Sequence, residues 1–360
     1  MYDAPSPANR YSSAGMLQAS GRSDQRRRSL SAALLALGLI IFPFVGSPFA
    51  LDLASQVFLA SIGSLSLMLL TGFAGQISIG HAGLIAAGAY VVGIMSREWQ
   101  APFWLTLPSA AIAGALLGAA FGVPSLRLRG LYLAVSTLAL YFIVIYAGGE
   151  YEAWRGYATG IMIDSPKVAG MEISSGFAWY FILLAAAVMT LVLCINLLRS
   201  RTGRAWGAIR TRETVAEALG INIAKFKLWA FVISSAITAV AGALFAYDRN
   251  FVSAEAFSLY LSIQYVAMII IGGMGSLPGA ILGATFVTLF PYAIESAIGM
   301  LPDADRYVNA LYAMNYAAFG LVTIAFLLFE PRGLIGIWRR LQGHISLRRR
   351  KAKPLSGPPQ

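Results

Sequence analysis

The sequence predicts an all-α protein, a polytopic bundle of about ten transmembrane helices, and three observations predict it. Of its 360 residues, 58% are hydrophobic and 12% are charged, whereas soluble domains carry about 25% charged residues. Apolar runs of membrane length recur along the chain. The basic residues between these runs fall mostly on one side of the predicted membrane. In an alternative interpretation, some of these helices are broken or re-entrant and do not cross the membrane as continuous spans.

Ten apolar runs come close to the roughly 20 residues that an α-helix needs to cross a bilayer. They lie at about 30–49, 53–71, 77–95, 103–123, 130–148, 177–198, 228–247, 261–278, 280–299 and 309–329. Basic residues precede the first run, as in a signal peptide, but the long polar region before it favours a first span. The connections at 72–80 and 272–279 are very short. The two spans on either side of each connection are therefore alternatively interpreted as one broken or re-entrant helix.

The basic residues predict the orientation of the bundle. With the N-terminus in the cytoplasm and alternating spans, only five of the 27 Lys and Arg residues fall outside: Arg97, Arg155, Lys167, Arg249 and Arg306. This is the asymmetry of the positive-inside rule, so the net charge of +11 reflects orientation and not nucleic-acid binding. We expect a disordered basic cytoplasmic tail at 1–28, a transmembrane domain at 29–338 and a basic cytoplasmic tail at 339–360.

Several classes of chemistry are excluded or disfavoured by composition. Cys194 is the only cysteine, which excludes intrachain disulfides and a cysteine metal cluster. The two histidines, His81 and His344, are too few for a metal site, and there is no Walker A motif. No charged residue stands near the middle of a predicted span, which argues against an ion-coupled carrier. We therefore expect no catalytic residue, metal or cofactor in this chain. We interpret His81 as a hydrogen-bonded packing residue, and the alternative is a proton relay.

Two glycine-rich segments, 70–83 and 271–283, occupy matching positions between a span running inward and a span running outward. Interrupted helices of this kind expose backbone amides and carbonyls and point to a transport pathway. The alternative is close helix packing through small residues, which the spacing of Gly114, Gly118 and Gly122 also indicates for the fourth span. The candidate pathway residues are Thr71, Gly75, Gln76, Ser78, Gly80, His81, Gly272, Gly273, Gly275 and Ser276.

The longest polar interruption between two spans is the segment 199–227. Within it we predict a short helix from Thr211 to Leu219, with Thr211 as N-cap, Glu213 near the positive end of the helix, and Gly220 as the C′ residue that stops it. A short basic helix outside the bilayer is suited to contact with a cytoplasmic partner. The alternative is a solvated loop that only carries topology charges.

The longest predicted outer loop is the segment 149–176, which is acidic and aromatic. A partner protein docking on this loop and an interfacial belt of aromatic side chains are both compatible with its composition.

Several motifs, in order, resemble the LivM-type permease subunits of branched-chain amino acid ABC transporters, which belong to a hydrophobic amino acid uptake group. They are TGFAGQISIGHAG from Thr71, LRLRGLYLAVSTLA from Leu126, SRTGRAWGAIR from Ser200, EALGIN from Glu217, IGGMGSLPG from Ile271 and EPRGLIG from Glu330. The resemblance runs from about residue 55 to 337. It implies an ABC importer permease fold in the bacterial inner membrane, with both termini cytoplasmic and the segment 29–338 as the permease domain.

The resemblance also implies partners. Such a subunit works with a homologous second permease of the LivH type, two ABC ATPase subunits, a periplasmic substrate-binding protein and a small-molecule solute, within a lipid membrane and without nucleic acid. ATP hydrolysis lies on the partner chains, so this chain is not itself an enzyme.

The segment 199–227 resembles the cytoplasmic coupling loop of these importers, which presents a short helix to a groove on the ATPase. Glu217, Ala218 and Gly220 resemble the Glu-Ala-Ala…Gly signature, although Leu219 replaces the second alanine and the glycine comes earlier than in the general pattern. The expected coupling residues are Arg210, Arg212, Glu213, Ala216, Glu217, Ala218, Leu219 and Gly220.

The expected solute is a branched-chain or related small amino acid. Family members often carry Thr-Gly-Gly after the fifth span, where this chain reads RGYATGI from Arg155, and relatives also import urea or aromatic acids. A stand-alone carrier or channel for a small solute is a rival hypothesis, and so is a membrane-embedded enzyme or scaffold.

Overall fold

The computed structural model describes residues 34, 36–126, 130–157, 159–168, 171–173, 175–299, 308–330, 333–338 and 340. The predicted tail at 1–28 and nearly all of the predicted tail at 339–360 lie outside these ranges. The chain divides into two units, Met1–Asp52 and Leu53–Gln360. The second unit contains the bundle and the candidate site.

Helices account for most of the described residues. In chain order they are α1 (Ala36–Val45), α2 (Pro48–Leu67), α3 (His81–Trp99), α4 (Phe103–Ser125), α5 (Leu131–Arg155), α6 (Gly176–Arg199), α7 (Arg201–Thr211), α8 (Glu213–Ala218), α9 (Ile223–Arg249), α10 (Leu259–Gly272), α11 (Leu277–Gly299), α12 (Val308–Phe329) and α13 (333–338). Each of the ten predicted apolar runs overlaps one of these helices, which confirms the all-α fold class.

Seven helical segments within the described ranges are long and apolar enough to cross a membrane. They are Pro48–Phe73, Phe103–Pro124, Tyr132–Arg155, Gly176–Arg199, Ile223–Arg249, Ala254–Gly272 and Leu277–Ser296. Shorter apolar helices cover Ala36–Val45 and Ala317–Phe329. The chain is therefore a multi-pass membrane protein.

Helix α9 is central to the second unit, and small residues let α4 approach it closely. A Cβ atom added to Gly114 would lie 2.5 Å from the Ser235 carbonyl oxygen, and one added to Gly118 would lie 2.7 Å from the Ser235 side chain. A Cβ atom on Gly122, one turn further, would lie 2.8 Å from Leu228. The predicted packing of the fourth span through this glycine stripe is confirmed.

Two short β-ladders, which the sequence did not predict, lie outside the helices. Strand β1 (Ile161–Met162) pairs antiparallel with β4 (Phe251–Val252), and β2 (Lys167–Val168) pairs antiparallel with β3 (Met171–Glu172). The β1–β4 ladder joins the segment after α5 to the segment after α9. A 3₁₀ turn, Ala254–Phe257, follows β4.

The predicted outer loop begins with side chains held by one carboxylate. Glu98, at the end of α3, accepts hydrogen bonds from Tyr151 (3.2 Å) and Tyr157 (2.9 Å) and forms an ion pair with Arg155. Trp154 instead is 78% exposed, with the Arg155 guanidinium 5.6 Å from its ring centroid. Two of the loop's three aromatic side chains are thus fixed by the fold, and one is available at the surface.

Filling the α4–α9 contact is expected to destabilise the protein. In Gly118→Leu the new side chain meets Ser235 on α9, and overpacking of this kind costs about 1–3 kcal/mol. The thermal unfolding midpoint of the purified protein in detergent measures the effect. Gly149→Leu is the control, because no atom lies within 4 Å of a Cβ at Gly149 on α5. Equal midpoints for the two variants would contradict the packing argument.

Candidate functional site

The predicted coupling loop folds as two helices, α7 and α8, where the sequence predicted one. The prediction of Thr211 as an N-cap is wrong: Thr211 is the last residue of α7, and its hydroxyl donates to the Gly207 carbonyl oxygen at 2.9 Å. The residue before α8 is Arg212, which is extended and makes no side-chain capping bond. Ser200 caps α7, its hydroxyl accepting from the Thr202 N–H at 3.2 Å.

Helix α7 forms because one of its faces is buried. Ala205, Trp206 and Ile209 are each less than about a tenth exposed, and their spacing places them on one face of a helix. The Trp206 indole N–H donates to the carbonyl oxygen of Phe226 on α9 at 2.8 Å. This apolar spacing after a capping serine was the signal that could have identified α7 from the sequence. The contact anchors the loop to the bundle.

Helix α8 ends as predicted. Gly220 has a positive φ of 79°, its N–H bonds the Glu217 carbonyl oxygen at 2.9 Å, and the Ile221 N–H bonds the Ala216 carbonyl oxygen at 3.1 Å. This pair of bonds is the Schellman motif, in which the C′ residue is left-handed and usually glycine. The Gly220 prediction is confirmed.

The predicted coupling residues on and around α8 differ in exposure. Arg212, Glu217, Ala218, Leu219 and Gly220 are exposed. Leu219 is 73% exposed and Val215, one turn before it, is 50% exposed, so α8 presents two apolar side chains to solvent as well as the exposed Glu217. Ala216 is buried, and Glu213 is half-buried in an ion pair with Lys227.

Both glycine-rich segments break the helical bundle. We name residues 72–80 the first glycine turn and residues 272–276 the second glycine turn. Helix α2 ends in a π-helical turn, Met68–Phe73, and the helix resumes only at α3, while α10 stops at the second turn and α11 follows it. Gly75, Gly273 and Gly275 have positive φ angles of 73°, 112° and 84°, a region that favours glycine.

The two glycine turns touch each other, although about 200 residues separate them. A Cβ atom added to Gly72 would lie 3.2 Å from the Gly275 nitrogen. The Gly275 N–H points at the sulfur of Met68, 3.2 Å away. The sequence indicated matching positions for the two turns but not this contact.

Arg210, at the end of α7, lies across both turns. Its guanidinium donates a hydrogen bond to the Gly72 carbonyl oxygen. The same Nη1 atom would be 2.8 Å from a Cβ on Gly275, and the Arg210 Cγ would be 3.4 Å from a Cβ on Gly75. Arg210 is thus directed at the ends of the spans, and not at the exposed face of α8.

A second link joins the loop to the first glycine turn. The Gln76 amide donates to the Lys227 carbonyl oxygen at 3.0 Å, and the Thr71 hydroxyl donates to the Gln76 carbonyl oxygen at 2.9 Å. Lys227 in turn pairs with Glu213 on α8. A hollow of about 280 Å³, lined in part by Gly75, Gln76, Glu213 and Lys227, lies between the loop and this turn.

The other predicted pathway residues are tightly packed. A Cβ on Gly80 would clash with the Thr137 carbonyl group, and one on Gly272 would clash with the Gly279 carbonyl group. Ser78 is 2% exposed. The Ser276 hydroxyl accepts from the Gly279 N–H at 3.3 Å. These four residues thus make packing or capping contacts, and their role in a pathway stays a prediction.

His81 has the surroundings of a packing residue. Its Nε2 atom lies 3.0 Å from the Gly63 carbonyl oxygen, and its ring packs edge to face on Tyr265 with centroids 4.8 Å apart. His81 is 1% exposed. Across the described part of the chain, no group of three or more His, Cys, Asp or Glu side chains is placed to hold a metal ion.

The fold and this cluster define a polytopic helical membrane protein whose polar loop contacts two breaks in its bundle. The family model for the permease component of the branched-chain amino acid transport system matches residues 49–327. The chain therefore belongs to this family, as the sequence motifs predicted.

Curated relatives agree with this assignment. The chain is 30% identical to the high-affinity branched-chain amino acid transport system permease protein LivM of Escherichia coli and 29% identical to that of Salmonella typhimurium, in each case over 90% of this chain and 78% of the relative. It is also 24% identical to the autoinducer 2 import system permease protein LsrC of Salmonella typhimurium, over 93% of both chains. No solved structure matches the chain.

Proposed function

We propose that the chain is one permease subunit of an ATP-driven importer that carries branched-chain or related small amino acids across the bacterial inner membrane. Its family and the branched-chain amino acid transport named for the LivM relatives support this solute class. The complete importer would add a second, LivH-type permease, two ABC ATPase subunits and a periplasmic binding protein. ATP hydrolysis would take place on the ATPase chains.

The observation that carries the proposal is the path from α8 to the glycine turns. The exposed side chains of α8, apolar at Val215 and Leu219 and acidic at Glu217, offer a small docking surface for an ATPase groove. Helix α8 follows α7 directly, and α7 is anchored on α9 through Trp206. Arg210 continues the path to Gly72. A displacement of α8 would therefore be transmitted through α7 and Arg210 to both glycine turns.

The glycine turns are suited to convert a displacement of α8 into a movement of the membrane-spanning helices. They connect α2 to α3 and α10 to α11, so a rotation at the turns reorients four helices together. Hinges in proteins are a few residues at the ends of elements that absorb changes in φ and ψ. In this proposal ATP-driven closure of the ATPases rocks the permease between inward- and outward-facing states.

The proposed orientation places α7, α8 and the glycine turns on the cytoplasmic side. Seven Lys and Arg residues between 199 and 227 support it: Arg199, Arg201, Arg204, Arg210, Arg212, Lys225 and Lys227. The opposite end carries acidic residues, among them Glu98, Glu152 and Asp164. The cytoplasmic tails at 1–28 and 339–360, flanking a permease domain at 29–338, remain part of this proposal.

Reversing the charge on α8 is expected to abolish ATPase binding. In the double variant Glu217→Arg with Ala218→Arg, two bulky cations replace the acid and the small residue at the docking surface, and misplaced charges at an interface cost several kcal/mol. Co-purification of the ATPase subunits with the tagged permease measures the effect. Asp164→Arg, an exposed acid at the opposite end, is the control. Wild-type amounts of ATPase on the double variant would refute the docking role of α8.

Removing the Arg210 contact is expected to uncouple ATP hydrolysis from transport without loss of the complex. In Arg210→Ala the Gly72 carbonyl oxygen loses a charged donor, an interaction worth about 1.5–3 kcal/mol, so solute imported per ATP should fall about tenfold or more. The measurement is simultaneous uptake and phosphate release in proteoliposomes.

Arg204→Ala on the same helix is the matched control, because the exposed Arg204 side chain bonds the neighbouring Arg199 carbonyl oxygen and not a glycine turn. An Arg210→Ala transporter with the wild-type ratio of solute to ATP would contradict the proposed path.

A further inference from the structure

A cavity of about 460 Å³ lies in the half of the bundle away from the glycine turns. Its walls come from the middle of α2, Ile85 on α3, the later part of α9, the 3₁₀ turn Ala254–Phe257, α10 and the later part of α11. Its volume falls within the range of about 300–1,000 Å³ that is typical of small-molecule sites. None of the ten pathway residues predicted from the sequence lines it.

Polar groups converge on this cavity from four elements: α2, α9, α10 and α11. They are Gln56, Arg249, Gln264, Tyr265, Thr288 and Tyr292. The Tyr292 hydroxyl donates to the Gln56 amide oxygen at 3.1 Å, which fixes the acceptor end of that amide. The side-chain amide of Gln264, on α10, makes no hydrogen bond to any residue that the structure describes, so it is available to an occupant of the cavity.

The remaining walls are apolar. They include Phe245, Phe257, Leu261, Met268 and Val287, of which all but Phe245 and Leu261 are buried. A ligand that matches both kinds of wall has a short apolar group for these side chains and a hydrogen-bonding head for the amides. The Arg249 guanidinium, whose Nε atom lies 3.4 Å from the Asp248 carboxylate, also lines the cavity and can bind a carboxylate of that head in addition.

Tyr265 connects the cavity to the helices that the first glycine turn joins, α2 and α3. Tyr265 lines the cavity, and its ring lies against Gly63 on α2, where an added Cβ would be 2.5 Å from the ring. His81, the first residue of α3, packs edge to face on the same ring. Helices α2 and α10 both run from this cavity to a glycine turn, so a rotation at the turns would change its shape.

We propose that this cavity is a transient binding site for the solute inside a single permease subunit, and that it selects small amino acids with an apolar side chain. The carboxylate and amino group would bind at Gln56, Gln264 and Arg249, and the side chain would lie among Phe257, Met268 and Val287. This inference rests on the proposed function and adds to it a place and a selection rule within this chain.

Photo-cross-linking tests the site directly. The probe is photo-leucine, a leucine analogue with a diazirine side chain, applied to the complete importer in lipid vesicles during ATP-dependent leucine uptake. We expect cross-links on peptides that contain residues 256–268 and 287–292, and competition by unlabelled leucine. Cross-links confined to other parts of this chain or to the partner permease would overturn the proposal.

A matched pair of variants on α11 provides the functional test. Thr288→Val removes a hydroxyl that lines the cavity, whereas Thr285→Val makes the same change one turn away, where the hydroxyl bonds the Ile281 carbonyl oxygen of its own helix. Gln264→Leu removes the side-chain amide that is proposed to bind the carboxylate or amino group of the solute. A lost hydrogen bond to a charged solute corresponds to about a tenfold change, so uptake at saturating loaded binding protein should fall about tenfold in Gln264→Leu.

We expect the wild type and Thr285→Val to have the same, highest uptake rate, Thr288→Val a lower one and Gln264→Leu the lowest. ATPase activity stimulated by the binding protein should be retained in all of them. Wild-type uptake by Gln264→Leu would overturn the site. A wild-type complex that hydrolyses ATP but takes up no leucine would overturn both the site and the proposed solute class. Uptake that needs no ATP in the wild type would overturn the proposed function alone.

Discussion

The hydrogen bond from Arg210 to the Gly72 carbonyl oxygen is the interaction on which the rest of this account depends. Where a helix breaks, its last carbonyl groups lose their partners within the helix, and within a membrane bundle such groups must be satisfied by protein or by water. A guanidinium satisfies one of them at the first glycine turn while also touching the second. One side chain therefore joins a polar loop to two breaks in the bundle.

This contact requires glycine on both sides. The backbone at Gly275 has a positive φ of 84°, and a Cβ there would collide with the Arg210 guanidinium. At Gly72 a Cβ would collide with Met68, whose sulfur faces the Gly275 N–H. The same glycines that weaken the helices give the arginine room to approach. The breaks in the helices and the close approach of the arginine thus depend on the same glycines.

The elements predicted best from the sequence were those encoded by local patterns. Each of the ten predicted apolar runs overlaps a helix, because the length and hydrophobicity of a segment decide whether it can cross a membrane as a helix. Gly220 ended α8 as predicted, since a left-handed C′ position favours glycine. The spacing of Gly114 and Gly118 predicted a close helix contact, although not that α9 would be the partner.

The prediction failed where distant segments decide the structure. Thr211 has the chemistry of an N-cap, but the buried face of α7, centred on Trp206, extends that helix through Thr211 instead. The β1–β4 ladder and the contact of Arg210 with Gly72 join segments about 90 and 138 residues apart, and no local period encodes them. The cavity lined by Gln264 and Thr288 likewise arises only when helices from distant parts of the chain are assembled.

The central claim is that movement of the loop is passed to the glycine turns, and a distance between the two turns tests it most directly. Ile77 and Met274 are exposed, one on each turn, and the only native cysteine, Cys194, is buried. Spin labels on Ile77→Cys and Met274→Cys report their separation in the assembled importer by pulsed electron paramagnetic resonance. The account predicts a shift of the distance distribution between the nucleotide-free and ATP-trapped states. An identical distribution in both states would contradict it.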